Sequence, residues 1–174
     1  MKLFTPKKHD DARGFFCETH NESTFKKFGL NYQFVQDNHS LSRDVGTIRG
    51  LHFQSDPFAQ DKLIRVLRGK IFDVAVDLRR SSSTFGRYVS IELSYEDWSQ
   101  LLIPKGFAHG FQTLEPNTEV FYKVSNFYAS ECDRGVAWDD PDIGINWPIR
   151  NTDKLISEKD RKLPRLRDLS DFFA

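Results

Sequence analysis

The chain has 174 residues, and its 25 Lys and Arg balance its 25 Asp and Glu, so the formal net charge is zero. That balance gives no global sign of a nucleic-acid or anionic-membrane binder. A hydrophobic share of 39% with 29% charged residues suits one soluble globular domain over 1–174, and no apolar run approaches membrane-spanning length. Cys17 and Cys132 are too few for a disulfide framework or a zinc ribbon. The start, Met1 to Pro6, lacks the apolar core of a signal peptide, so the cytosol is the expected location.

In chain order, Lys7 to Asp11 is polar and Asp10 to Gly14 reads as a turn, followed by a short strand at Phe15 to Thr19. Asn21 to Phe28 fits about two helical turns, with Asn21 as N-cap and Gly29 as C-cap. Tyr32 to Asn38 has strand composition and runs into a polar loop from His39 to Gly46. Lys62 to Arg68, a turn at Gly69, and Ile71 to Leu78 read as the clearest hairpin. Within it Phe72, Val74, Val76 and Leu78 alternate with Asp73, Ala75 and Asp77, the pattern of a half-buried arm. Strands follow at Tyr88 to Leu93 and Leu101 to Pro104. Phe111 to Thr113 is expected to pair with Glu119 to Val124 across Pro116 and Asn117, and Val136 to Trp138 is a further short strand. Asp153 to Asp168 is polar and reads as a tail wrapping the domain. Many short strands between turn clusters, with almost no helix, predict an all-β barrel or sandwich with short peripheral helices.

The chemistry centres on Arg49-Gly50-Leu51-His52-Phe53-Gln54 and on Lys62, ten positions after His52. Period-2 reading puts His52 and Gln54 on one face of a strand, and Lys62 opens the next strand. An imidazole and an ammonium on neighbouring strands can share one cavity, which is the pair that carbanion and enolate chemistry needs. The same pattern also describes a sheet whose polar face meets water. Pro104-Lys105-Gly106-Phe107-Ala108-His109 fits the Pro-x-Gly-x-x-His pattern of cupin jelly rolls. Metal-binding cupins carry a His-x-His on an earlier strand. Here Gln54 stands where its second histidine would be, leaving His52 and His109 without a carboxylate to complete a triad, so a metal-free site is expected.

Eight stretches together carry a more specific resemblance. Asp11 to Glu18, Phe34 to Asn38, Arg49 to Gln54 and Lys62 to Val66 resemble the dTDP-4-dehydrorhamnose 3,5-epimerase family. So do Phe72 to Arg79, Ile103 to Phe111, and the pair Trp138 to Pro141 with Ser157 to Asp160. They run in order along nearly the whole chain. The resemblance implies a cupin-like jelly roll that needs no cofactor and forms a homodimer. It also implies a reaction on a dTDP-sugar, inverting the carbons that flank a C4 ketone. A base must take the proton, a positive group must meet the enolate oxygen, and an acid must return a proton from the opposite face.

By the same resemblance His52 is the base, Asp160 the carboxylate that orients it, Lys62 the enolate-holding group and Tyr122 the proton donor. Arg49 and Arg13 match phosphate and nucleotide positions; Glu18, Gln36, Asp37 and Asn38 match thymidine-recognising ones, with Phe16 as a stacking neighbour. His109, Tyr128 and Lys159 match further substrate contacts. Two departures stand out: Asp133 replaces the glutamate common in relatives, and only Met1 to Thr5 is available for the N-terminal strand that relatives exchange between subunits. The same residues leave open an epimerase that inverts a single carbon of another nucleotide-linked keto sugar, and a non-catalytic sugar-nucleotide binding module.

Overall fold

In the computed structural model, which describes residues 1–150 and 155–173, twelve strands form two five-stranded antiparallel sheets and one hairpin among the described residues. The first sheet has the order β1 (Lys2–Phe4), β9 (Gln100–Ile103), β6 (Lys62–Arg68), β11 (Thr118–Val124), β4 (Gln36–Ser42). The second has the order β12 (Asp133–Gly135), β5 (Ile48–Gln54), β10 (Phe107–Thr113), β7 (Lys70–Asp77), β8 (Tyr88–Ser94). β2 (Lys8–Asp11) and β3 (Gly14–Cys17) make the separate hairpin. This is the expected all-β jelly roll. Its described helices are α1 (Glu22–Lys27), α2 (Glu158–Arg161) and two single 3-10 turns, and none is long and apolar enough to cross a membrane.

The two sheets face each other across one apolar cluster. Ile64, Val66, Leu101, Ile103 and Val120 of the first sheet meet Ile71, Ala75, Leu93 and Phe111 of the second. The outer face of the second sheet is also covered. Ile48, Leu51, Phe53, Val74, Val76 and Ala108 pack there against Val136, Ile143, Trp147, Ile156, Leu166 and Leu169 of the C-terminal segment. α1 and the residues just after it close the far side of the first sheet by setting Phe25 and Leu30 on Leu63 and Leu102. Asn21 caps α1 through its side chain, which accepts from Thr24 N at 3.2 Å. The C-cap falls on Phe28 rather than Gly29, which follows it at φ +73°.

Five expectations change. β6 and β7 are not a hairpin: β6 pairs with β11 and β9, β7 with β10 and β8, so the turn at Gly69 carries the chain from one sheet to the other. The same holds for Phe111 to Thr113 and Glu119 to Val124, which lie in opposite sheets and do not pair. A jelly roll sends consecutive strands across the sandwich, and strand periodicity carries no record of which neighbour a strand will find. β7 is buried on both faces, because Phe72, Val74 and Val76 turn to the C-terminal segment while Asp73 and Ala75 turn inward. Finally, the polar stretch after Asn38 is the second half of β4, and the short strand near Trp138 lies earlier, at β12. Residues 151–154, where the expected polar tail begins, lie outside the described residues; from Leu155 onward the segment does wrap the second sheet, and Phe173 N donates to Leu78 O.

β1 pairs with β9 of its own chain, Lys2 opposite Leu102 and Phe4 opposite Gln100. β5 and β10 approach closely at Gly50 and Gly110. A Cβ on Gly50 would stand 2.7 Å from both Gly110 Cα and His109 O, and its φ of +119° also demands glycine. That approach sets His52 directly opposite His109 in the register.

Candidate active site

The inward faces of the two sheets leave one cleft at the end where the apolar cluster stops. Its larger lobe, about 610 Å³, is lined by Arg49, His52, Lys62, His109, Tyr122, Lys159 and Asp160, among others. A smaller lobe of about 390 Å³ adds Gln36, Asn38, Gln54, Tyr128 and Asp133, and shares His52, Lys62, Tyr122 and Lys159 with the first. The four residues matched to catalysis therefore converge. His52 projects from β5 in the second sheet; Lys62 and Tyr122 project from β6 and β11 in the first. Base and acid candidates thus stand on opposite walls.

Asp160 reaches this point from the C-terminal segment. Ser157 caps α2, accepting from Asp160 N at 3.0 Å, and turns the carboxylate toward β5. Asp160 Oδ1 lies 2.8 Å from His52 Nε2, and Oδ2 accepts from Gly50 N at 3.2 Å. Burial alone would push this carboxyl up. The hydrogen bonds from His52 and Gly50 outweigh it and hold the group below the ordinary carboxylate range. With Nε2 facing Asp160, the nitrogen of His52 left open to a proton from elsewhere is Nδ1.

Lys62 is buried, and the hydrogen bond its Nζ makes goes to His52 O at 3.3 Å. Loss of solvent lowers its pKa to about 8, while the charges of Asp133 and Asp73 act to keep its proton on. The result is a desolvated ammonium with donors to spare, suited to an oxyanion. Burial raises Tyr122, with Arg49 acting the other way, so the phenol stays protonated at neutral pH.

Around this set, Gln36 Nε2 donates to Asn38 Oδ1 at 2.9 Å, and Gln36 Oε1 accepts from Tyr128 N at 3.0 Å. Asp133 accepts from Tyr128 Oη at 3.0 Å and pairs with Lys159, which holds both side chains at the mouth and raises both their pKa values. Arg49 lies along the rim, donating to Ser42 Oγ and Leu41 O. Gln54, in the place of a second metal-binding histidine, spends its amide on the neighbouring loops: it donates to Phe58 O and Phe127 O and accepts from Ala129 N. Among the described residues no three His, Cys, Asp or Glu side chains converge on a point that could hold a metal ion.

Four matched residues are not brought into this cleft within one chain. Arg13 sits exposed on the β2–β3 hairpin, paired with Asp11 at 2.7 Å. Glu18 and Phe16 line a separate hollow with Phe4, His20 and Phe25. Asp37 points to the outer face of β4 and pairs with Lys123 at 2.8 Å. Two residues of the site lay beyond the sequence reading. Asp73 looks like the outward half of an alternating strand; Ser157, by contrast, could have been found from Ser157-Glu158-Lys159-Asp160, the spacing of a side-chain cap followed by an acid three residues on.

Against known proteins, the chain fits the family model of dTDP-4-dehydrorhamnose 3,5-epimerase over residues 1–168. It is 53% identical to the dTDP-4-dehydrorhamnose 3,5-epimerase of Sinorhizobium fredii, across 97% of this chain and 86% of that one. Among solved structures, the enzyme of that name from Bacillus anthracis with TDP and PPi bound superposes with a TM-score of 0.90 at 49% identity. That match covers 94% of this chain and 92% of the other. The dTDP-6-deoxy-D-glucose-3,5-epimerase of Legionella pneumophila in complex with dTDP-4-keto-L-rhamnose also gives 0.90, at 40% identity over 96% and 88%.

The buried ammonium makes a two-sided test. Between pH 8 and 10.5 the folded chain has released the Lys62 proton while the unfolded chain still binds it, so stability rises with pH across that window. Below pH 8 the buried charge costs about 3 kcal/mol. Lys62→Met is therefore expected to raise the melting temperature at pH 7 while losing about 10²-fold or more in turnover. In the unsubstituted chain kcat/KM is expected to fall above pH 8; titration calorimetry and pH–rate profiles check both.

Proposed function

The chain belongs to the dTDP-4-dehydrorhamnose 3,5-epimerase family, and on that premise we propose that His52, Lys62, Tyr122 and Asp160 carry the reaction. The activity is that of an isomerase. It converts dTDP-4-dehydro-6-deoxy-D-glucose to dTDP-4-dehydro-L-rhamnose by inverting the two carbons beside the ketone. One observation supports the residue roles above the others: His52 and Tyr122 extend into one cleft from opposing sheets, with Lys62 beside them.

A proton on a carbon next to a ketone leaves only if its electron pair passes to the carbonyl oxygen. His52 Nδ1 takes the proton, and Asp160 steadies the imidazolium that forms, as the third member of a triad does. Lys62 Nζ meets the growing negative charge on the ketone oxygen, in a site where low dielectric makes that contact count. Tyr122 then returns a proton to the other face of the ring. A base on one wall and an acid on the other make the return an inversion instead of a retention. Gln36 and Asn38 offer amide groups to the nucleobase, Tyr128 a flat ring at the mouth, and Arg49 and Lys159 donors to the diphosphate and sugar.

Arg13, Glu18 and Asp37 are assigned to the nucleotide end by resemblance, yet the first two lie on or beside the β2–β3 hairpin, away from their own chain's cleft. They keep that role if the hairpin of a second copy reaches the cleft, and a homodimer of one epimerase domain per chain is part of the proposal. Phe15 and Phe16, 55% and 70% exposed, give the hairpin an apolar surface for such a contact. A cytoplasmic location goes with a nucleoside-diphosphate sugar as substrate.

Turnover in deuterated water tests the catalytic roles. His52→Ala is expected to lower deuterium incorporation at both carbons by 10²–10⁴-fold while dTDP affinity stays within about threefold. Tyr122→Phe is expected to keep exchange but lose inversion, because His52 can return a deuteron only to the face it came from. Incorporation in His52→Ala at the unsubstituted rate would remove the base assignment. The dimer is tested by co-expressing Arg13→Ala and His52→Ala chains under different tags. The purified hybrid, with one complete site, is expected to turn over well above either parent; a hybrid no better than its parents would end the shared-site reading.

A further inference from the structure

The mechanism above leaves one buried group without a task. Asp73, on β7, is wholly buried in the barrel interior, surrounded by Ile71, Ala75 and Phe111. Its Oδ2 lies 2.8 Å from His109 Nε2, and its Oδ1 has no hydrogen-bond partner among the described residues. A buried carboxylate with one oxygen unpaired costs stability that an amide or an alkyl side chain of like size would avoid. His109 is in turn the direct register partner of His52, which places the two Cβ atoms about 5 Å apart on the same face of the sheet. The cleft therefore holds two imidazole–carboxylate pairs side by side. In each, Nε2 faces the acid, and Nδ1 makes no bond to the described protein.

The reaction supplies a reason for a second pair. One inversion leaves His52 with an extra proton and Tyr122 without one, and the second inversion cannot begin until both are reset. We propose that His109 carries this proton, with Asp73 as its positioning residue. His109 Nδ1 accepts the proton from imidazolium His52 and passes it to the Tyr122 phenolate. His52 returns to neutral imidazole, Tyr122 to phenol and His109 to its starting state, so one proton moves and nothing is oxidised or reduced. Asp73 holds the Nε2–H of His109 throughout, which keeps Nδ1 turned to the cleft, and balances the charge while the ring is an imidazolium. This inference rests on His52 and Tyr122 being the base and acid.

Asp73→Asn keeps the volume and an acceptor for His109 but cannot balance an imidazolium. With dTDP-4-dehydro-6-deoxyglucose in deuterated water, the variant is expected to exchange the first carbon within about threefold of the unsubstituted rate. The second inversion slows tenfold or more, singly inverted product is released, and kcat falls while KM holds. His109→Gln, in which Asp73 keeps an amide donor, is expected to give the same product split and decides the matter if Asp73→Asn does not fold. A wild-type ratio of doubly to singly inverted product in folded variants, a rise in KM alone, or equal loss at both carbons would overturn the proposal. Failure of the base assignment is read separately, from His52→Ala retaining exchange.

Discussion

The hydrogen bond between Asp160 and His52 ties the end of the chain to its middle. Asp160 stands on a helix of four residues, too short to persist alone, so its position comes from elsewhere. Ile156, Leu166 and Leu169 press the segment onto the outer face of the second sheet, and the Ser157 cap turns the backbone so that the carboxylate meets both Gly50 N and His52 Nε2. The wrapping segment is thus a structural cover over an apolar sheet face and also the carrier of the carboxylate that holds His52, the base of the proposed mechanism.

The jelly roll suits inversion because it offers two facing walls. Most of the space between its sheets is filled with Ile, Val, Leu and Phe, and at one end the filling gives way to Lys62, His109 and Tyr122, with Asp73 buried behind His109. Each is poorly solvated there, which weakens the fold. The same desolvation makes an ammonium strong toward an enolate and keeps a phenol protonated until a carbanion forms. Stability surrendered at this floor is offset by the two apolar layers on either side of the second sheet.

The sequence showed strand content, the α1 cap at Asn21 and the residues that meet in the cleft. Pairing was less legible. Gly69 and the Pro116–Asn117 turn look like hairpin turns, and only the assembled sandwich shows them passing between sheets. From sequence β4 reads as ending at Asn38, because its inward residues, Asn38, Ser40 and Ser42, are polar. They line a wet cleft, so the usual contrast between an apolar inner face and a polar outer one is missing. Asp73 was hidden for the opposite reason: an aspartate alternating with valines reads as solvent-facing, and nothing local shows that both sides of β7 are covered. Arg13 and Glu18 match by motif, but a motif does not say that they lie away from their own chain's cleft.

The role given to the Asp160–His52 contact is tested most directly by the exchange rate of Asp160→Asn. The amide fills the same space and can still accept from Gly50 N, but it carries no charge to steady an imidazolium and favours the wrong tautomer of His52. A loss of roughly 10²–10⁴-fold in deuterium incorporation, with the fold and dTDP affinity intact, is the expected result. Incorporation at the unsubstituted rate in the folded variant would contradict it, and would leave the carboxylate as a mere fastening for the C-terminal segment.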